Sequence, residues 1–213
     1  MAEYRLHCFA QSGNAYKVAL MLALSRADWE PVWVNFFDGT HRGDEFKTMN
    51  EMAQVPVLEH RDVTLSQSGL MLEYLVGALR SFGWANAAEE REIKRWLLWD
   101  NYSFTSTLAP YRFVATFVQE EKRSADVLGF LGGRMKNALK VIDQRLAGRD
   151  FVATAGPSIA DLSIVGYLYY GDELPFDLAE YPNLKAMTDR IKALPGWQGP
   201  YEMMPTEPIA ASA

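Results

Sequence analysis

The chain has 213 residues, of which 49% are hydrophobic, and it carries a formal net charge of -6 at pH 7. This length and apolar content suffice for one large or two small domains, while the acidic balance argues against nucleic acid or an anionic membrane as a partner. A single cysteine, Cys8, excludes an internal disulfide framework, and no apolar run is long enough to span a bilayer, so we expect a soluble cytoplasmic protein.

The first eighty residues alternate short apolar runs with helical patterns. The runs are rich in β-branched and aromatic side chains, which is typical of strands. Arg61 and Asp62 separate the last two runs and indicate a β-hairpin. The predicted order is therefore β-α-β-α-β-β-α, with strands over residues 4–9, 29–35, 57–60 and 63–65 and helices over residues 14–25, 45–49 and 68–76.

The pattern changes beyond Arg80. Residues 81–86 predict a linker, and the chain beyond them is helical almost throughout. Residues 89–117 and 125–146 carry charges on one face and apolar side chains on the other, which predicts two long helices. Pro110 is expected to kink or split the first of them.

The end of the chain predicts two further helices and an extension. Ser158 and Asp161 have the spacing of a capping box before a helix over residues 162–170. Residues 183–194 predict a last amphipathic helix, which ends at a Pro-Gly pair. Residues 201–213 are expected to form a docked or frayed extension.

The segment around Pro56 predicts a ligand-binding corner. Because proline fixes φ and has no amide hydrogen, Pro56 predicts either the start of an edge strand or a turn held by a cis bond. Either way the backbone of Val55 faces outward, where a peptide-like ligand could pair with it as an added strand. Gln67 and Ser68 begin the next helix, whose free amides and dipole favour a carboxylate. Each half alone is also explained by a tight turn or an N-cap.

These features together resemble the cytosolic glutathione transferases. The resemblance covers nearly the whole chain. Within the family, residues 12–18 are similar to the bacterial serine-type and asparagine-containing branches, and Tyr4 lies too early in the first strand to be the catalytic tyrosine of other branches. The motifs that carry the resemblance are Ser12-Gly13-Asn14 with Lys17-Val18, Gln54-Val55-Pro56-Val57-Leu58, Gln67-Ser68 and the capping box of Ser158 and Asp161.

The resemblance implies an α+β protein of two domains. Residues 1–80 would form a thioredoxin-like domain that binds glutathione, and residues 88–213 an all-helical domain that binds a hydrophobic second substrate. The family also implies a homodimer in which the N-terminal half of one subunit meets the helical half of the other. Glutathione is the implied cosubstrate, and neither a metal nor a membrane nor nucleic acid is implied.

Ser12 is the candidate that bears on the chemistry. Glutathione attacks as its thiolate, yet a free cysteine thiol has a pKa of about 8.5 and is mostly protonated at neutral pH. Ser12 lies where the first strand passes into the first helix, so its hydroxyl could donate to the sulfur while the helix N-terminus adds positive potential. Asn14 could share this role or cap the helix, and Ser12 itself could be only an N-cap.

The remaining site residues follow from the resemblance, position by position. The backbone of Val55, beside Pro56, would pair with the cysteinyl part of glutathione. Gln67, where many relatives have an acidic residue, and Ser68 would hold the γ-glutamyl group. The glycine carboxylate would meet His41 and Gln54. The candidates for the hydrophobic substrate site are Asp100, Tyr102, Phe104, Tyr111, Arg112 and Phe113, and an aromatic stripe of this kind is also typical of a core or a dimer interface.

Three functions are compatible with these residues. The favoured one is conjugation of the glutathione thiolate to hydrophobic electrophiles, as in detoxification. The second is a glutathione-dependent disulfide reductase or peroxidase on the same fold, and the third is a glutathione-binding protein without catalysis. The histidines lack the spacing of metal ligands, so we expect no metal site, and Cys8 is interpreted as a core residue.

Overall fold

The computed structural model describes residues 2–206, and these divide into two compact units. Residues 2–79 form one unit together with residues 196–206, and residues 80–195 form the other. The sequence predicts a helical domain that extends to residue 213, whereas residues 196–206 group with the first unit. Residues 207–213 of the predicted extension lie outside the described part. Within residues 2–206, no helix is both long and apolar enough to cross a membrane.

The first unit is built on a four-stranded mixed sheet. Its strands are β1 (Tyr4–Cys8), β2 (Trp29–Trp33), β3 (Val57–His60) and β4 (Val63–Ser66), and its first helices are α1 (Gly13–Leu24), α2 (Asp44–Met49) and α3 (Ser68–Leu79). The sheet order is β2-β1-β3-β4, with β1 parallel to β2 and antiparallel to β3. β3 and β4 form the expected hairpin. The predicted β-α-β-α-β-β-α order is confirmed.

The structure decides between the two interpretations of Pro56. The Val55–Pro56 peptide bond is cis. The next strand, β3, lies between β1 and β4, so the prediction of an edge strand is wrong. Proline is tolerated here because it precedes the first paired residue of the strand and withholds no amide from the sheet.

The two faces of the sheet contribute to different parts of the core. Neighbouring strand residues point to opposite faces, so Val57 and Leu58 are both buried but in different layers. Val57 packs with Val34 and with Phe46 of α2 in a small cluster, and the side chain of Val55 packs against it. The side chain of Val55 is therefore anchored in the core while its backbone stays at the rim.

The second unit is helical, as predicted. Its helices are α4 (Ala87–Trp99), α5 (Thr105–Phe117), α6 (Ala125–Leu146), α7 (Ile159–Val165) and α8 (Pro182–Lys192). Pro110 does not split the first long helix, because it lies inside α5. The interruption falls earlier, at a π-helical turn (Asp100–Phe104) between α4 and α5. Beyond α8 the chain returns to the first unit through α9 (Pro200–Met203).

The π-helical turn accommodates a buried carboxylate. Asp100 is fully buried, and its Oδ1 and Oδ2 atoms accept hydrogen bonds from the hydroxyls of Thr105 at 2.9 Å and Ser163 at 2.5 Å. The second bond links this turn to α7. A buried carboxylate needs such donors, and sequence periodicity does not reveal them.

The predicted capping box is present at the start of α7. The Asp161 carboxylate accepts hydrogen bonds from the Ser158 amide at 2.9 Å, the Ser158 hydroxyl at 2.8 Å and the Val152 amide at 2.8 Å. Asp161 is fully buried. Burial raises the pKa of Asp161, and the three hydrogen bonds oppose that increase. The box therefore ties the preceding loop to the helix through one side chain.

Cys8 is expected to be inert in the folded protein. Its side chain is fully buried in β1, and burial raises the pKa of the thiol to about 12. Because the reactive species is the thiolate, a chromogenic disulfide reagent at about pH 8 should not modify the native protein, and denaturant should release one reactive thiol per chain. Rapid modification of the native protein with one equivalent of reagent would contradict the interpretation of Cys8 as a core residue.

Candidate glutathione site

Ser12 caps the first helix and keeps its hydroxyl proton available. Its oxygen accepts a hydrogen bond from the Ala15 amide at 3.2 Å, and its own amide donates to the Phe9 carbonyl at 3.0 Å. A hydroxyl can accept and donate at the same time, and no acceptor for its proton lies among residues 2–206. The N-cap interpretation and the donor interpretation of Ser12 are therefore compatible.

The start of α3 lies beside the start of α1. The Ser68 hydroxyl donates to the Asn14 side-chain carbonyl oxygen at 3.5 Å, and Ser68 is buried. This contact joins the two helix N-termini, each of which carries unpaired amides and the positive end of a helix dipole. The structure thus brings Ser12 and Asn14 together with Gln67 and Ser68, which lie more than fifty positions later in the sequence.

Gln67 adopts a backbone conformation that its residue type disfavours. Its φ is +70°, in the left-handed region that favours glycine, and its carbonyl accepts the first α3 hydrogen bond from the Met71 amide at 3.0 Å. The exposed side chain donates to Gln54 Oε1 at 3.3 Å and to Met52 Sδ at 3.0 Å. Strained backbone of this kind clusters at ligand-binding sites, and here it directs the Gln67 side chain towards the 52–54 loop.

The loop before Pro56 presents an unpaired stretch of backbone. Among the described residues, none forms a hydrogen bond with the amide or carbonyl of Val55. The buried side chain of Asn50 holds this loop in place. Its amide donates to the Gln54 carbonyl at 2.7 Å, and its side-chain oxygen accepts from the Met52 amide at 3.1 Å. Asn50 and Met52 were not predicted from the sequence. An asparagine four residues before Gln54 in a turn region is the signal that could have pointed to the first of them.

His41 lies at the end of an aromatic stack that begins beside Ser12. Phe9, whose carbonyl accepts from the Ser12 amide, stacks on Phe36 with ring centroids 4.6 Å apart, and Phe36 stacks on His41 at 4.3 Å. Burial and the neighbouring Arg42 lower the pKa of His41, so the imidazole is neutral at physiological pH. His41 is thus a buried ring rather than an exposed cation.

Three of the six candidates for the hydrophobic site, Asp100, Phe104 and Arg112, lie in the interior of the helical unit. The Phe104 side chain is almost fully buried. The Arg112 guanidinium is buried as well, forms an ion pair with Glu173 and lies over the Tyr170 ring at 3.8 Å. An ion pair and an aromatic face satisfy the charge of a buried arginine. These three residues therefore pack within the unit, and their direct contact with a substrate stays a prediction.

The other three candidates lie nearer the surface. Tyr102 is 77% exposed and Phe113 is 42% exposed. Tyr111 is half-buried, and its ring lies against α6, where a Cβ on Gly132 would come within 3.3 Å of it. Of the helical candidates, Tyr102 and Phe113 thus present the most accessible aromatic surface.

The candidate site formed by Ser12, Val55 and the starts of α1 and α3 offers hydrogen-bond donors and positive helix ends to an anionic, peptide-like ligand. The Ser12 hydroxyl proton, the first amides of α1 and α3 and the Val55 backbone are all available. Within residues 2–206, no group of three or more histidine, cysteine or carboxylate side chains could hold a metal ion. The arrangement can bind a carboxylate and an extended backbone, and it can stabilise a negative charge near Ser12.

Comparisons with known proteins bear on both units. The chain matches "Glutathione S-transferase, N-terminal domain" over residues 3–77 and "Glutathione S-transferase, C-terminal domain" over residues 104–195. It is 26% identical over 200 residues to Glutathione S-transferase 1 of Dianthus caryophyllus, covering 88% of this chain and 86% of that protein. It is 27% identical over 207 residues to the maleylacetoacetate isomerase of Rattus norvegicus, covering 91% and 89%.

Solved structures agree with the sequence matches. The glutathione S-transferase of Pseudomonas fluorescens Pf-5 has a TM-score of 0.87 and 27% sequence identity, covering 94% of this chain and 100% of that one. The two matched domains together account for both halves of the chain, and the four-stranded unit has the thioredoxin-like fold of these proteins. The chain therefore belongs to the glutathione S-transferase family, and the protein is an enzyme of that family.

Proposed function

We propose that the protein catalyses attack of the glutathione thiolate on hydrophobic electrophiles, with Ser12 as the donor to the sulfur. The observation that carries the proposal is the Ser12 hydroxyl, whose oxygen caps α1 while its proton is unclaimed by any described residue. A donor at a helix N-terminus lowers the pKa of a nearby thiol, because both the hydrogen bond and the dipole favour the anion. Asn14, held by Ser68, would support the same charge from the first turn of α1.

Glutathione would lie along the loop that precedes Pro56 and the start of α3. The unpaired backbone of Val55, next to Pro56, would bond to the cysteinyl part as an added strand does. Gln67 and Ser68 would hold the γ-glutamyl carboxylate and amine at the N-terminus of α3. The glycine end would meet Gln54 and the region of His41, where the neutral imidazole supplies a single hydrogen-bond donor.

The second substrate would bind against aromatic side chains of the helical domain. Tyr102 and Phe113 are exposed, and Tyr111 is half-buried, so these three would contact it directly. Phe104 and Arg112 would act from beneath by supporting that surface. Side chains of this type favour a hydrophobic, flat electrophile.

The proposal includes a cytoplasmic homodimer. Leu98 and Phe130 of the helical unit are largely exposed, and burial of such apolar side chains against a second copy of the chain would stabilise a dimer. Cys8 is a free, buried thiol, in keeping with a reducing compartment.

A second candidate, glutathione-dependent isomerisation, is favoured by one specific observation. The chain is as similar to the rat maleylacetoacetate isomerase as to the transferases, over nine-tenths of its length. A thiolate held by Ser12 serves an isomerase equally well, since it would add to the substrate and leave again. The two candidates share the glutathione site and differ in the fate of the adduct, which is released as product by a transferase and broken down again by an isomerase.

One set of assays separates the candidates. Calorimetry with glutathione measures binding, and three reactions are followed with it: conjugation of 1-chloro-2,4-dinitrobenzene, reduction of a mixed disulfide, and isomerisation of maleylacetoacetate. We expect binding and conjugation. Binding with isomerisation alone would support the second candidate, and binding with disulfide reduction alone would identify a reductase. Binding without any of the three reactions would indicate a non-catalytic protein, and the absence of binding would overturn the proposal.

A further inference from the structure

The last described residues form a strap along the first helix. We use the name strap for residues 196–206, which include α9. The strap contacts Ala23 at the C-terminal end of α1, then Tyr16 in the N-terminal half of the helix, and finally Ala10 in the turn between β1 and α1. It therefore runs antiparallel to α1 and ends beside the segment that carries Ser12.

The strap begins with a close approach of two backbones. Gly196 has a φ of +94°, and a Cβ at this position would lie 3.1 Å from the Ala23 carbonyl oxygen. Both the conformation and the available space therefore require glycine. A larger residue here would displace the start of the strap from the end of α1.

A buried tyrosine holds the middle of the strap. The Tyr16 ring is fully buried within α1, and its hydroxyl donates to the Gln198 carbonyl at 2.7 Å. Met203 and Met204 are buried a few residues later. The hydrogen bond from Tyr16 and the apolar packing of Met203 and Met204 thus fasten the strap before it reaches the turn of Ser12.

The end of the strap is bonded to the turn that holds Ser12. The Ala10 amide donates to the Pro205 carbonyl at 2.8 Å. Ala10 lies inside the turn that is closed by the hydrogen bond from the Ser12 amide to the Phe9 carbonyl. Without Pro205, the Ala10 amide would lose this acceptor, and the turn would lose its hydrogen bond to the strap.

We propose that the strap positions Ser12, with the Pro205 carbonyl fixing the turn through Ala10. The inference rests on the proposed role of Ser12 as donor to the glutathione sulfur. Such a donor works only within a narrow range of distance and angle, and a loop that carries it must be held by its surroundings. Pro205 is a positioning residue, because it acts through the backbone of Ala10 and does not touch the substrate.

The test compares two shortened chains and two full-length variants. A chain that ends at Met204 lacks the Pro205 carbonyl, and a matched chain that ends at Thr206 retains it, so the difference between them isolates the last two residues of the strap. Tyr16→Phe and Gly196→Ala weaken the strap in the complete chain. The readouts are amide hydrogen exchange at Ala10, the apparent pKa of glutathione bound to the protein, and kcat and KM for conjugation.

Relative to the chain that ends at Thr206, the one that ends at Met204 should show faster exchange at Ala10, a raised thiol pKa and kcat about five-fold lower, the effect of losing one hydrogen bond. The KM for glutathione should change little, because Val55 and α3 are untouched. Tyr16→Phe and Gly196→Ala should shift the same three quantities in the same direction. If the chain that ends at Met204 does not fold, these two full-length variants test the role of the strap in its place.

Unchanged exchange at Ala10, or faster exchange with an unchanged thiol pKa, would overturn the positioning role. Ser12→Ala separates this failure from failure of the proposed function. If Ser12→Ala leaves the thiol pKa unchanged, the donor role of Ser12 is wrong. If Ser12→Ala raises the thiol pKa and the strap variants do not, only the role of the strap is wrong.

Discussion

Replacing Ser12 by alanine is expected to lower kcat/KM for conjugation about 10- to 100-fold, since a hydrogen bond to a charged group contributes about 1.5 to 3 kcal/mol. The loss should lie mainly in the ionisation of the bound thiol. Its apparent pKa should rise towards the value of about 8.5 for a free thiol, so the variant should recover activity as the pH increases. Stopped-flow absorbance of the thiolate across pH, together with kcat/KM profiles, measures both effects.

Two controls separate this chemistry from helix capping. Ser12→Ala also removes the acceptor for the Ala15 amide, which should cost about 0.5 to 2 kcal/mol of stability. Ser124 caps α6 in the same way, by accepting from the Val127 amide, so Ser124→Ala should lower the melting temperature without changing the thiol pKa. Ser12→Thr keeps a hydroxyl and should retain most of the activity. Full activity in Ser12→Ala at neutral pH would exclude Ser12 as the donor.

Replacing Asp161 by alanine is expected to be the most damaging change for folding, at about 3 to 5 kcal/mol. The Ser158 and Val152 amides would lose their acceptor inside the protein, and each buried donor left unpaired costs about 1 to 3 kcal/mol. A loss of this size is a large part of the total stability of a typical domain, which is about 5 to 15 kcal/mol. Urea unfolding followed by circular dichroism measures it.

A surface aspartate and a conservative variant provide controls for Asp161→Ala. Asp189 lies on the surface of α8, paired with Lys185, so Asp189→Ala should change stability by less than about 1 kcal/mol. Asp161→Asn keeps the shape but turns an amide nitrogen towards one of the donors, so it too should be strongly destabilising. A small effect of both Asp161 variants would show that the capping box contributes little to the fold.

Local sequence patterns predicted the fold well because each pattern has a local physical cause. The strand and helix order around β1, α1 and β2 follows from side-chain periodicity, and the capping box follows from the spacing of Ser158 and Asp161. The sequence predicts a kink or a split at Pro110, yet the break between the two helices lies at the π-helical turn that buries Asp100. That turn depends on the Ser163 hydroxyl, which comes from α7, sixty-three positions away.

The sequence predicts single residues of the candidate site but not the contacts between them. Ser12, Val55 and Gln67 were each singled out by residue type and position. The left-handed backbone of Gln67, the brace by Asn50 and the contact of Gln67 with Met52 were not predicted, because they depend on how loops meet across the sheet. The surroundings of Arg112 were also unforeseen, since its partner Glu173 comes from another part of the helical unit.

The sequence alone determined the element order and the two-part organisation, and it predicted the residues of the candidate glutathione site, since periodicity, proline chemistry and capping act over a few neighbouring residues. Only the tertiary structure decided that β3 is an interior strand, that α1 and α3 meet through Asn14 and Ser68, and that residues 196–206 return to the turn of Ser12. These features are set by pairings between segments far apart in the chain, which become favourable only when the core brings them together.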